Sequence, residues 1–106
     1  MDTDPIAKRK VLTVTVTDED IRVGKPSEPG RCPVALASRR RLTELGCTDD
    51  LSVLTVDTVV ISWPGQYCLL SRRCRQWIRR FDNREHVEPA TFRVEQMDLN
   101  GVEVAS

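Results

Sequence analysis

The sequence predicts an α+β domain in which two helices pack on one face of a mostly antiparallel sheet, in the order β-α-β-β-α-β-β. Three observations carry this. Residues 11–17 and 91–99 hold stretches that alternate apolar and polar side chains, the period of half-buried strands. Residues 71–81 place Cys74, Trp77, Ile78 and Phe81 at i, i+3, i+4 and i+7, one stripe of an amphipathic helix. Pro64-Gly65 and Asn100-Gly101 sit between strand-like runs, where tight turns belong.

Each element follows from local chemistry. Residues 1–9 read as a flexible leader, and residues 10–106 as a single domain. Leu12, Val14 and Val16 alternate with Thr13, Thr15 and Thr17, and Asp18-Glu19-Asp20 ends that strand with charge. Residues 24–30 are rich in Gly and Pro and read as loop. A helix is expected from about Cys32, with Pro33 at its first position, where a missing N–H costs nothing, and Gly46 as its left-handed stop. Val34, Ala35, Leu42 and Leu45 are its expected packed side. Residues 51–63 read as one long strand with a bulge or bend at Asp57. Pro64-Gly65 then turns the chain into a returning strand at 66–70, the alternative being a wide loop there. Ser71 is a favoured N-cap for the second helix. Thr91 to Leu99 is the next strand, and Asn100-Gly101 predicts a two-residue hairpin returning through Val102 and Val104.

Composition narrows the class. The chain has 106 residues, 40% of them hydrophobic and five aromatic, so the core must lean on Val, Leu and Ile. The longest strongly apolar run is Val59-Val60-Ile61, far short of the roughly 18–20 residues of a membrane span. The acidic start, Met1-Asp2-Thr3-Asp4-Pro5, does not resemble a secretory signal. A soluble, cytoplasmic protein with no membrane partner is therefore expected. Cys32, Cys47, Cys68 and Cys74 are then free thiols, although a secreted origin would permit two disulfides.

Catalytic and cofactor chemistry find little support. The cysteines form no closely spaced pair and His86 is the one histidine, so no metal site is expected. Cys32 lies where a helix begins, and a helix dipole with Arg31 beside it would lower a thiol pKa. Its base would have to be the distant His86, so Cys32 reads more simply as a packing residue. The glycines form no phosphate-binding loop, and Asp18/Asp20 and Asp49/Asp50 read as turn residues. No enzyme, no catalytic residue and no cofactor is predicted.

Charge is the informative feature. The formal net charge is zero, but residues 31–45 carry +3, residues 71–81 carry +5, and the remainder carries −8. Arg72, Arg73, Arg75, Arg79 and Arg80 all miss the apolar stripe of the second helix, so they share its opposite side. They are the predicted partner-binding face, with Arg39, Arg40 and Arg41 as an extension. Guanidinium forks match carboxylates and phosphates. The expected partner is a protein with an acidic surface, or a second copy of the chain. Nucleic acid bound through the same helix is the alternative.

Three clusters carry a resemblance: Asp20-Ile21 with Gly24; residues 32–37, Cys-Pro-Val-Ala-Leu-Ala; and residues 77–82, Trp-Ile-Arg-Arg-Phe-Asp, followed by Pro89 and Phe92. Together they resemble small uncharacterised proteins of actinobacteria and of the phages that infect them, over roughly residues 11–94. The resemblance brings no activity with it. It implies a phage- or prophage-type accessory protein; the expectation of a non-catalytic protein-binding or regulatory module rests on the arginine face.

Overall fold

A computed structural model describes residues 10–98, apart from 58 and 65. Five strands form one antiparallel sheet: β1 (Lys10–Val16), β2 (Thr55–Val56), β3 (Val60–Trp63), β4 (Gln66–Leu69) and β5 (Ala90–Asp98), in the spatial order β1-β5-β4-β3-β2. Three helices accompany it: α1 (Asp18–Val23), α2 (Pro33–Glu44) and α3 (Arg72–Asp82). No helix among the described residues is long and apolar enough to cross a membrane.

The alternation seen in sequence sets the sheet register. Leu12 stands opposite Val94 and Val14 opposite Phe92, all four buried, while the exposed Thr15 and Thr91 join hydroxyls at 3.1 Å. Ile61 links the buried face across three strands, opposite Val56 on one side and Cys68 on the other. Onto this face α2 brings Val34, Ala35, Ala37 and Leu42, and α3 brings Cys74 and Ile78, completing one core. Single-sided burial of this kind pins the register, because a one-residue slip would turn Leu12, Val14 and Val16 outward.

The helix ends follow sequence chemistry closely. Pro33 opens α2. Gly46, at φ +85°, closes it: its N–H donates to the Thr43 carbonyl and that of Cys47 to the Leu42 carbonyl. This is the paired bonding of a left-handed helix stop. The end of α3 repeats the pattern, with Arg84 donating to Phe81 and Glu85 to Arg80, but here Arg84 occupies the left-handed position at φ 63°.

Three expectations are corrected. Asp18-Glu19-Asp20 does not merely end β1; it starts α1. The Thr17 hydroxyl accepts from the Asp20 N–H, and the Asp20 carboxylate accepts from the Thr17 N–H, a reciprocal cap. The long run 51–63 is not one strand. Leu51–Val53 forms a 3-10 turn, and Asp57 folds β2 back on β3 by accepting from the N–H groups of Val59 and Val60. Leu45 is not on the packed side of α2 but 57% exposed, because it lies beyond the last turn facing the sheet. The leader 1–9 and the Asn100-Gly101 hairpin lie outside the described residues.

Candidate functional site

The candidate site is the outer side of α3. Ser71 starts the helix by accepting the Cys74 N–H at 3.2 Å, as its residue type suggests. Cys74, Ile78 and Phe81 are buried and Trp77 is half-buried. The Trp77 ring stacks on Phe81 at 5.9 Å between centroids, meets Phe92 edge-on at the same distance, and donates its indole N–H to the Glu88 carbonyl at 2.8 Å. This aromatic cluster fixes the rotation of α3, and with it the direction of every arginine.

Arg72, Arg73, Arg75, Arg79 and Arg80 are all exposed. At 3.6 residues per turn they fan over an arc of about 160°, with Arg72 and Arg79 farthest from the core. Arg73 leans back, its guanidinium 5.6 Å from the Phe92 ring centre and donating to the Thr91 carbonyl at 3.3 Å. Among the described residues none of the five takes part in an ion pair. Residues 71–81 contain no carboxylate at all. Arg79 and Arg80 suit the negative C-terminal end of the helix, whereas Arg72 and Arg73 oppose its positive N-terminal end, each by about 0.3–1 kcal/mol. Arg75 sits three and four residues from Arg72 and Arg79, and each such like-charge pair costs about 0.2–0.5 kcal/mol. Apart from the contacts of Arg73, the face carries charge that no carboxylate of the described residues neutralises.

The arginines of α2 are placed differently. Arg39 is half-buried and donates to three backbone carbonyls: Gly30 at 2.5 Å, Leu51 at 3.0 Å and Leu54 at 3.0 Å. It staples the loop before α2 to the turn before β2. Arg40 grips the buried carboxylate of Asp20 with bonds of 2.9 and 2.8 Å and also donates to the Thr15 carbonyl. Arg41 pairs with Glu44 at 3.4 Å. Acceptors from other parts of the chain hold Arg39 and Arg40, whereas Arg41 meets a carboxylate of its own helix. Of the expected extension, Arg39 and Arg40 are engaged in contacts within the chain, and Arg41 keeps a side chain 41% exposed.

Asp20 was the charged residue that sequence reasoning passed over. Burial alone would raise its pKa, but the hydrogen bonds from Arg40 and Thr17 outweigh burial and hold the carboxyl below its ordinary value. The signal available in sequence was the Thr17-x-x-Asp20 spacing of a capping box.

The cysteines contribute no reactive centre that the geometry favours. Cys32 caps α2 without a side-chain hydrogen bond and is buried; that burial pushes its thiol up despite the helix N–H groups of Ala35 and Val34. Burial likewise pushes Cys68 and Cys74 to about 12. Cys47 is half-buried, with its sulfur 3.5 Å from the Asp49 carboxylate.

Fold and site together define a small antiparallel α+β domain with five exposed arginines on α3. Set against protein-family models, curated proteins and solved structures, the chain matches none of them.

Proposed function

We propose that this chain is a non-catalytic protein-binding or regulatory module, a phage- or prophage-type accessory protein of the cytoplasm. It engages an acidic protein surface through Arg72, Arg73, Arg75, Arg79 and Arg80. One observation carries the binding reading: five exposed guanidinium groups stand on one helix with no carboxylate of the described residues paired to them. Arginine is enriched at protein-interface hot spots, where its fork binds carboxylates in pairs. The accessory-protein assignment rests on the three sequence clusters.

The test is affinity capture from the source cells with wild-type protein and with Arg75→Glu/Arg79→Glu, before and after nuclease treatment. Both positions are exposed, so the variant should keep the wild-type circular dichroism. An acidic protein should be retained by the wild type after nuclease and bound at least about tenfold more weakly by the variant. Equal capture by both proteins refutes the proposal. Capture abolished by nuclease, with a steep salt dependence, transfers the helix to nucleic-acid binding.

A further inference from the structure

A second surface lies beyond the C-terminal end of α3. A cleft of about 460 Å³ opens between α1 and its following loop on one wall and the segment after α3 on the other. Its floor is apolar, formed by Ile21, Phe81 and Val87. Carboxylates stand on both walls, Asp18 on the α1 side and Glu85 and Glu88 on the other. Arg84 also lines it, and His86 is hydrogen-bonded to the Glu88 carboxylate. Three carboxylates against one guanidinium and one imidazole leave the rim negative.

The walls are held apart by long-range contacts. The Ser27 N–H donates to the Asp82 carboxylate at 2.9 Å, joining the loop behind α1 to the end of α3. Gly24 lies so close to Pro33 that a β-carbon there would come within 2.7 Å of the ring, which seats the α1 wall on α2. The other wall is anchored by the Trp77 indole on the Glu88 carbonyl and is launched by Arg84 in its left-handed conformation. Such a cleft is formed before any ligand arrives, and its volume is within the ordinary range of binding sites.

We propose that this cleft docks a peptide segment of a partner protein in which an aliphatic side chain adjoins an arginine or lysine. The aliphatic group covers Ile21, Phe81 and Val87. The cation sits between Asp18 and the Glu85/Glu88 wall, where the negative rim favours it and disfavours acidic peptides. The site is separate from the arginine face and opposite in charge preference, so each can fail without the other.

The probe is the dipeptide acetyl-Ile-Arg-amide, titrated into 15N-labelled protein and followed by backbone amide shifts. Saturable shifts should appear at Ile21, Gly24 and residues 84–88. Acetyl-Ile-Glu-amide and acetyl-Gly-Arg-amide should bind several-fold more weakly, the first losing the cation and the second the apolar contact. Asp18→Asn/Glu85→Gln should keep the wild-type spectrum elsewhere and weaken binding about tenfold, as expected for two exposed charge contacts. Arg75→Glu/Arg79→Glu should bind the dipeptide as the wild type does. Absence of saturable shifts at these amides up to about 10 mM peptide overturns the proposal, since even a 1 mM complex would be visible there. Equal affinity for the three peptides, or an unchanged affinity in the Asp18/Glu85 variant, overturns it as well.

Discussion

Replacing Arg40 by methionine separates an arginine that folds the domain from one that is free to bind. Methionine keeps an unbranched apolar stem and removes the guanidinium. The Asp20 side chain is only 5% exposed, and it loses two bonds of 2.9 and 2.8 Å, keeping the Thr17 N–H as its remaining donor. Removing one partner of a buried pair costs about 3–5 kcal/mol. The Arg40 side chain is 44% exposed, so water can reach that side of the carboxylate, and the lower end, about 3 kcal/mol, is expected. For a domain of this size that lowers Tm by about 12–20 °C. The pH dependence follows from Asp20, whose folded pKa lies below 3.8. In the wild type its stabilising contribution is present above about pH 3.8 and fades as pH falls through the folded pKa. In Arg40→Met only the Thr17 bonds still offset burial, the carboxyl pKa rises, and protonation in mild acid relieves the strain. The gap between the two proteins should therefore be widest near neutral pH and shrink toward about pH 4. Asp20→Asn, which buries no charge, should cost less, about 1–2 kcal/mol. Urea unfolding followed by tryptophan fluorescence at several pH values measures all three. A variant within about 1 kcal/mol of wild type at pH 7, or a gap that stays constant on acidification, refutes the reasoning.

Two further outcomes rest on local geometry. Arg84→Gly should stabilise the domain by about 1 kcal/mol and Gly46→Ala should destabilise it by a similar amount, because both positions are left-handed and only glycine takes that conformation without a β-carbon penalty; thermal denaturation of the two variants checks the pair. Native protein treated with iodoacetamide at pH 8 should label at Cys47 first, with Cys68 and Cys74 protected until urea is added, since their buried thiols titrate only near 12; peptide mass spectrometry reads the order, and early labelling of Cys74 would contradict its place in the core.

Much of the architecture was written in short-range pattern. The period-two runs of β1 and β5, the stripe of α3, Pro33, Gly46 and Ser71 each specify their element through a few neighbouring residues. What escaped has a common physical cause. The run 51–63 is β-prone apart from Asp57, where a bulge or bend is expected; propensity does not say that the bend is a full reversal, which two bonds to the Asp57 carboxylate make it. In α1 the strand alternation of β1 meets a capping box at Thr17, and acidic residues that end a strand also start a helix when they can bond the N–H groups of its first turn. Leu45 was drawn into the core by its type, yet an apolar residue past the last turn follows the chain outward.

The two arginine clusters mark the deeper limit of pattern. As sequence, Arg39-Arg40-Arg41 is the denser run and lies on a helix as surely as the arginines of α3 do. Their fates diverge because of acceptors that no local window contains: the carbonyls of Gly30, Leu51 and Leu54 for Arg39, the Asp20 carboxylate for Arg40. Those acceptors come from nine to twenty residues away and are delivered by the loop before α2, the turn before β2 and the cap of α1. On α3 the fold delivers a ring and one carbonyl to Arg73, and among the described residues no carboxylate to any of the five. Arginine count therefore says where positive charge is made, and tertiary structure says where it is spent. What is left over is a cationic arc on a helix locked by Trp77 and Phe81, without an ion pair among the described residues, and it is this arc on which the proposed recognition rests.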